Sequence, residues 1–146
     1  MGYLLIRLAG LDDLDQIIRL LHQLWPGKPM DPSRLRTIFE HMTSDNHYVL
    51  LCAEKEGALA GFASLSILQN IWQEGFILYI TTVIVDEQRR RQGIGTSLIR
   101  EIQKIARERA CKRIELESAF HRTDAHAFYE KMGFEKRAHY YSREVE

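Results

Sequence analysis

Hydrophobic and polar residues alternate with two different periods in the first third of the chain. Residues 3–8 are typical of a strand, and the apolar positions of residues 11–25 recur at the three- and four-residue spacing of one helical face. The segment 26–29 should end that helix, because proline disfavours helix in the preceding residue and has no N–H to donate. A second helix is predicted to begin at Asp31 and Pro32, an N-cap residue followed by a proline in the first turn.

The pattern changes to strands from residue 47 onward. Residues 47–54 and 58–68 are predicted strands, and the tight turn of residues 55–57 joins them as an antiparallel hairpin. Trp72 lies in a polar interruption that follows. The next apolar run, residues 76–85, is rich in β-branched side chains and is predicted to form the central strand of the sheet.

Two helices and two strands are predicted in the last third of the chain. A helical stripe that includes Leu98 and Ile102 follows a glycine-containing turn, and residues 112–118 form a short fifth strand. Thr123 is predicted to cap a fourth helix that ends at Gly133, and residues 134 to about 141 or 145 to close the sheet. The order β-α-α-β-β-β-α-β-α-β predicts one α/β (α+β) domain over residues 1–146, with a mixed sheet and helices on both of its faces.

Composition and charge are typical of a small soluble enzyme or binding protein. The chain has 146 residues, of which 45% are hydrophobic and 27% are charged, so it can bury a core without disulfides. Twenty basic and 20 acidic residues give a net charge of zero, and no overall field attracts nucleic acid or a membrane. The chain has only two cysteines, which predicts free thiols in a reducing compartment. It has no apolar run of about 20 residues and no signal peptide, so a cytoplasmic protein is expected.

The turn between the central strand and the third helix carries the strongest functional signal. Arg89, Arg90 and Arg91 precede two glycines, Gly93 and Gly95, whose missing Cβ lets the backbone approach a ligand closely. The first N–H groups of a helix are unpaired and lie at the positive end of its dipole, so the turn predicts a phosphate site. Neither a Walker A loop nor a dinucleotide fingerprint fits, because Thr96-Ser97-Leu98 follows the last glycine.

Two motifs in this order of elements resemble the GCN5-related N-acetyltransferase superfamily. The first is Arg/Gln-x-x-Gly-x-Gly/Ala at Arg90, Gly93 and Gly95, and the second is the Ala-x-x-Phe-Tyr-Glu-Lys-x-Gly-Phe stretch of residues 125–134. The resemblance covers nearly the whole chain and implies acetyl-CoA as cosubstrate and a fourth and a fifth strand that splay apart. No metal is expected, because no set of His, Cys and carboxylate residues has the spacing of metal ligands. The implied cofactor-binding residues are Val83, Ile84, Val85, Arg90, Arg91, Gln92, Gly93, Ile94, Gly95 and Thr96.

The resemblance implies that Tyr129 is the acid that protonates the leaving thiolate. A phenol of pKa about 10 is protonated at neutral pH and lies close to the thiol pKa of about 8.5. The other interpretation is a core residue beside Phe128. Glu117 is the predicted base, because it faces the cleft if Ile114 and Leu116 pack on the other side and because it falls at the place of an acidic residue in the similar aminoglycoside enzymes. A solvated acid at the strand end and a water chain as base are the alternatives. The lesser candidates are His121, Asp124 and Glu74.

Narrower resemblances point to small polar amines as acceptors. Residues 121–129 are similar to aminoalkylphosphonate N-acetyltransferases, and residues 23–29 and 61–63 are similar to aminoglycoside 6′-N-acetyltransferases. The chain departs from the broad pattern at Glu87, where proline is common, and at Arg122, where an asparagine that contacts the cofactor is common. The second departure puts that side-chain contact in doubt. The predicted acceptor-binding residues are Trp25, Trp72, Glu74 and Asp124.

The sequence therefore predicts direct attack of a primary amine on acetyl-CoA in a ternary complex. A cysteine acyl-enzyme is disfavoured because Cys52 and Cys111 lie outside the proposed site. The alternatives are acetylation of a protein or peptide amine and a non-catalytic acyl-CoA sensor. The expected partner is a small-molecule amine, with no nucleic acid and no membrane, and a homodimer stays open.

Overall fold

A five-stranded sheet in the order β1-β2-β3-β4-β5 forms the framework of the molecule. The structure, a computed structural model, describes residues 3–146. The strands are β1 (Leu4–Leu8), β2 (Tyr48–Lys55), β3 (Ala58–Asn70), β4 (Gly75–Val85) and β5 (Arg113–Leu116). Strands β1 to β4 are antiparallel to their neighbours, whereas β5 follows a helical crossover and runs parallel to β4. The predicted mixed, mostly antiparallel sheet is confirmed.

The helices begin close to where their sequence signals place them. They are α1 (Leu14–Leu24), which a short 3-10 turn precedes, α2 (Pro32–Thr43), α3 (Ile94–Glu108) and α4 (Thr123–Lys131). The Asp31 side chain caps α2 by accepting hydrogen bonds from the N–H groups of Ser33 and Arg34. In α4 the prediction for Thr123 is wrong, since Thr123 is the first helical residue and Arg122 occupies the cap position.

Helices cover both faces of the sheet. On one face, α1 and α2 pack on β2, β3 and β4 through Ile17, Leu20, Phe39, Phe62 and Ile84. Residue 61 points to the opposite face, because side chains alternate along a strand. There an added Cβ on Gly61 would lie 3.2 Å from Ile94 and Leu98 of α3, and 3.2 Å from the Ile84 carbonyl oxygen. A glycine at this position therefore allows the start of α3 to lie close to β3.

The chain divides into two compact units, Met1–Glu115 and Leu116–Glu146. The second unit contains α4, and within it the prediction of a closing strand at residues 134 to about 141 or 145 is wrong. Residues 134–146 of the described chain contain no strand, and Tyr140, Tyr141 and Val145 are exposed. Charged residues interrupt this segment too often for an apolar face to form. None of the helices in residues 3–146 has the length and hydrophobicity needed to cross a bilayer.

Candidate active site

Strand β4 continues past the end of β5, and within residues 3–146 part of its edge has no neighbouring strand. The N–H of Lys112, which precedes β5, donates to the carbonyl oxygen of Phe76 near the start of β4 at 2.7 Å. Because both strands rise by about 3.3 Å per residue, the four residues of β5 end near the middle of the 11-residue β4. Residues 81–85 extend beyond that point, and they include Val83, Ile84 and Val85.

A β-bulge marks the beginning of this free edge. Thr82 pairs with Ser64 and Ile80 pairs with Leu65, so Thr81 is the extra residue on β4. The Thr81 hydroxyl lies 2.9 Å from the carbonyl oxygen and 3.0 Å from the hydroxyl of Ser64. Bulges of this kind re-aim backbone groups and are common next to active sites. The sequence analysis missed Thr81, since a threonine pair inside a β-branched run gives no distinct signal.

Residues 86–93 form a loop that leads from β4 into α3, and we call this segment the Arg-Gly loop. Arg91 has a positive φ of 64°, and Gly93 adopts the left-handed conformation with φ 80° and ψ 8°. The first helical hydrogen bond of α3 joins the N–H of Ser97 to the carbonyl oxygen of Gly93 at 3.0 Å. Helix α3 therefore begins at Ile94, four residues before the apolar stripe that predicted it.

The first turn of α3 contains backbone hydrogen-bond donors that no group of the described residues uses; Gly95 and Thr96 are half-buried and Ile94 is buried. Within residues 3–146, the N–H groups of Ile94, Gly95 and Thr96 have no hydrogen-bond partner, and no side chain caps the helix. Arg90 and Arg91 are exposed beside them. Donors without a partner, the positive end of a helix dipole and two guanidinium groups are the features that predict an anion site here.

The β2–β3 hairpin turn contacts the Arg-Gly loop. This contact was not predicted from the sequence. The Lys55 ammonium donates a 2.7 Å hydrogen bond to the side-chain oxygen of Gln92. Arg89 lies 3.7 Å from the Glu56 carboxylate, so part of its charge is neutralised. These contacts join positions 37 and 33 residues apart in the sequence, and no local pattern could have revealed them.

A buried carboxylate at the start of the Arg-Gly loop was also missed. Asp86 is only 7% exposed, and its oxygens accept hydrogen bonds from Arg19 and Gln23 of α1 and from the N–H of Gln88. Desolvation by burial would raise the pKa of Asp86, but these hydrogen bonds hold it below its ordinary value. The carboxylate is therefore charged at neutral pH and ties the loop to α1.

In the second unit, Tyr129 lies between two aromatic rings. Its ring centroid is 5.5 Å from that of Phe128 and 5.8 Å from that of Phe134. Burial raises the pKa of Tyr129 to about 12, although the nearby Arg122 guanidinium acts in the opposite direction. The phenol is thus protonated at any physiological pH, as an acid requires.

The two acidic residues of the second unit that were named as main site candidates, Glu117 and Asp124, are exposed to solvent. Glu117 follows the last residue of β5, and Asp124 lies in the first turn of α4. The Tyr140 hydroxyl forms a hydrogen bond with the Glu117 carboxylate, which raises the pKa of Tyr140. The predicted base therefore has a neighbour in the segment that was expected to form the last strand.

The structure does not bring together the residues predicted to bind the acceptor. Trp25, 37% exposed, directly follows the last residue of α1 and lies two residues after Gln23, whose side chain forms hydrogen bonds with the Arg-Gly loop. Trp72 and Glu74 lie in the turn between β3 and β4, where Trp72 is 86% exposed. The whole of β4, 11 residues and about 35 Å long, separates that turn from the Arg-Gly loop. Trp72 and Glu74 are therefore far from the anion site.

Comparison with protein families places these features in a known group. The model of the acetyltransferase (GNAT) family matches residues 14–134, which include the Arg-Gly loop, the first turn of α3 and Tyr129. This chain belongs to the GNAT family. The family and the enzyme class predicted from the sequence, an N-acetyltransferase, are thereby confirmed.

Relatives of this GNAT protein include enzymes with different small-molecule acceptors. It is 30% identical over 136 residues to a glucosamine 6-phosphate N-acetyltransferase of Trypanosoma brucei brucei, covering 92% of this chain and 89% of that protein. It is 25% identical over 128 residues to an aminoglycoside N(6′)-acetyltransferase of Serratia marcescens, covering 84% and 86%. It is 27% identical over 135 residues to an aminoalkylphosphonate N-acetyltransferase of Salmonella typhimurium, covering 92% and 86%.

Solved structures show the same GNAT fold over the full length. A protein from Bacillus halodurans, described as a transcriptional regulator, superposes with a TM-score of 0.89 and is 26% identical, covering 98% of this chain and all of that one. An aminoglycoside N-acetyltransferase solved in complex with CoA superposes with a TM-score of 0.82 at 21% identity, covering 99% and 97%. At that identity the second structure supports the fold.

Proposed function

We propose that this GNAT protein transfers an acetyl group from acetyl-CoA to a primary amine of a small polar molecule by direct attack in a ternary complex. The observation that carries the proposal is the set of unpaired N–H groups of Ile94, Gly95 and Thr96 beside Arg90 and Arg91. A diphosphate is the part of acetyl-CoA that such a site would bind. The CoA complex of a protein with the same fold supports this choice of donor.

The free edge of β4 provides a place for the pantetheine arm. That arm contains amide groups, which can form hydrogen bonds with exposed strand backbone as an added strand does. Ile84 directs its side chain into the core, so only its backbone can serve the cofactor. In this proposal an N–H near Val83 polarises the thioester carbonyl, and the loss of such a donor typically costs a factor of about 10² to 10³ in rate.

The reaction needs one proton removed from the amine and one delivered to sulfur. The neutral amine attacks the thioester carbon, the C–S bond breaks, and Tyr129 gives its proton to the departing thiolate. A pKa of about 12 for Tyr129 exceeds the usual thiol value of about 8.5. A thiolate beside a buried phenol is desolvated as well, and desolvation raises the pKa of its thiol. The difference between the pKa of the Tyr129 phenol and that of the thiol becomes smaller as a result.

We assign the amine proton to Glu117 and the acceptor contacts to Trp25 and Asp124. Glu117 is exposed and can exchange a proton with solvent, either directly or through water. Trp25 directly follows helix α1, whose Gln23 side chain forms a hydrogen bond with the Arg-Gly loop. Trp72 and Glu74 are left out of this proposal because of their distance from the anion site.

A thiol-release assay with acetyl-CoA tests the proposal. The panel contains glucosamine 6-phosphate, an aminoglycoside, an aminoalkylphosphonate, a polyamine, an amino acid and a peptide with a free N-terminus. We expect release with one of the small amines, and a loss of at least tenfold in kcat for Glu117→Gln. Release with the peptide alone would indicate a protein acetyltransferase. Tight CoA binding without release from any amine would indicate an acyl-CoA sensor.

A further inference from the structure

The Asp86 carboxylate is bound on both oxygens by groups from two parts of the chain. Its Oδ2 atom lies 3.1 Å from Nη1 of Arg19, and its Oδ1 atom accepts from Nε2 of Gln23 at 3.3 Å and from the N–H of Gln88 at 3.1 Å. Arg19 also donates to the Leu59 carbonyl oxygen of β3 at 3.2 Å. A buried charge is thus matched by a cation and by two further donors, which is the arrangement that makes burial of a carboxylate tolerable.

Backbone hydrogen bonds fix the same end of the Arg-Gly loop. The N–H of Asp86 donates to the Ala60 carbonyl oxygen at 2.8 Å, and its carbonyl oxygen accepts from the N–H of Arg89 at 2.8 Å. The side-chain oxygen of Gln23 accepts from the N–H of Glu87 at 3.0 Å. One helix, α1, therefore contacts both the side chain of Asp86 and the backbone of the next residue.

The other end of the loop is held much less firmly. Between Arg90 and Gly93, the described residues form one side-chain hydrogen bond, from Lys55 to Gln92. Arg91 adopts a positive φ that is unfavourable for an arginine. The direction in which this part of the loop leads into α3 consequently depends on how its first residues are anchored.

We propose that Asp86, through Arg19 and Gln23, positions the Arg-Gly loop for binding of the CoA diphosphate. This inference rests on the proposed function of the loop. Asp86 touches neither cofactor nor acceptor in this role. It keeps the loop in the arrangement that binds, so that no binding energy is used to order it.

The test compares Asp86→Asn with Asp13→Asn by calorimetric titration of CoA and by thermal unfolding. Asp13 is a matched control: it is 8% exposed, it forms two 2.8 Å hydrogen bonds with Arg7, and it lies at the other end of α1. We expect both variants to lower Tm. Only Asp86→Asn should weaken CoA binding, by about tenfold to a hundredfold, the loss typical of a hydrogen bond to a charged group.

Steady-state kinetics separate positioning from a general loss of structure. Asp86→Asn should raise KM for acetyl-CoA while kcat at saturation and KM for the acceptor stay within about twofold, and Gln23→Ala should do the same more weakly. Equal CoA affinity in wild type and Asp86→Asn, or equal losses in the Asp86 and Asp13 variants, would overturn the inference. A wild-type protein that binds no CoA would instead refute the proposed function of the loop.

Discussion

Replacement of Gly93 by alanine tests whether the left-handed turn before α3 is required for cofactor binding. An added Cβ at Gly93 meets no atom within 4 Å, so the substitution causes no clash. Its φ of 80° is nevertheless unfavourable for alanine, and a left-handed residue other than glycine costs about 1–2 kcal/mol. The strain is relieved when φ rotates, and that rotation turns the N–H groups that open α3 away from the anion.

Gly27 provides a matched control for this substitution. It has a φ of 81°, an added Cβ there also meets no atom within 4 Å, and it lies in the connection between α1 and α2. Each alanine variant should lose about 1–2 kcal/mol of unfolding free energy, a decrease in Tm of roughly 3–8 °C for a domain of this size. Urea unfolding and differential scanning calorimetry measure that loss.

The two variants should differ only in CoA binding. Loss of one hydrogen bond from Gly93 or the first turn of α3 to a charged diphosphate costs about 1.5–3 kcal/mol, or roughly tenfold to more than a hundredfold in Kd. Titration calorimetry should therefore show weak binding for Gly93→Ala and wild-type binding for Gly27→Ala. Equal CoA affinity in the two variants, at equal stability, would show that the conformation of Gly93 plays no part in binding the cofactor.

Three further predictions follow from the same geometry. Tyr129→Phe should lower kcat by about 10² to 10⁴ with little change in KM for acetyl-CoA, and unchanged turnover in stopped-flow assays would remove Tyr129 as the acid. The Arg7 guanidinium holds the pKa of Asp13 below its ordinary value. The ionised Asp13 carboxylate therefore stabilises the fold fully above about pH 4, and this contribution is lost as the pH falls through the lowered pKa of the folded state. Urea titrations should show that Asp13→Asn costs about 1–3 kcal/mol at neutral pH and progressively less below pH 4. Arg91→Asn should raise Tm slightly, because asparagine tolerates a positive φ, yet weaken CoA binding severalfold through the lost charge, which calorimetry and titration measure together.

The periodic parts of the sequence predicted most of the fold. Helix α2 begins where the Asp31-Pro32 pair indicates, and the hairpin turns at residues 55–57 as its composition suggests. The Arg-Gly loop was predictable because its chemistry is local: two glycines, adjacent arginines and a helix start within seven residues. Signals of this kind depend on neighbours in sequence, so they can be recognised without knowledge of the tertiary structure.

Features that depend on distant contacts were not predictable in the same way. In the sequence, Asp86 is indistinguishable from an ordinary turn residue. Arg19 and Gln23, which are 67 and 63 residues away in sequence, contact Asp86 only because α1 packs on the sheet. Trp72 and Glu74 precede β4 and the Arg-Gly loop follows it, so the order of elements along the chain already puts them at opposite ends of that strand. The prediction of the last strand was wrong for a different reason. The aromatic residues of that segment favour a strand, but its charged residues leave no apolar face to bury.

The unequal lengths of β4 and β5 connect the fold to the proposed chemistry. A strand of 11 residues beside one of four cannot be paired along its whole edge, and unpaired backbone groups are normally a liability that proteins cover or interrupt. Here the free edge comes directly before the predicted anion site, and the Thr81 bulge lies near the point that the four residues of β5 reach along β4. In the proposed function, acetyl-CoA uses both features at once, because its diphosphate is assigned to the start of α3 and its amides to the backbone of residues 81–85. A longer β5 would satisfy the same backbone groups within the protein, so the shortness of β5 keeps that edge available for a ligand.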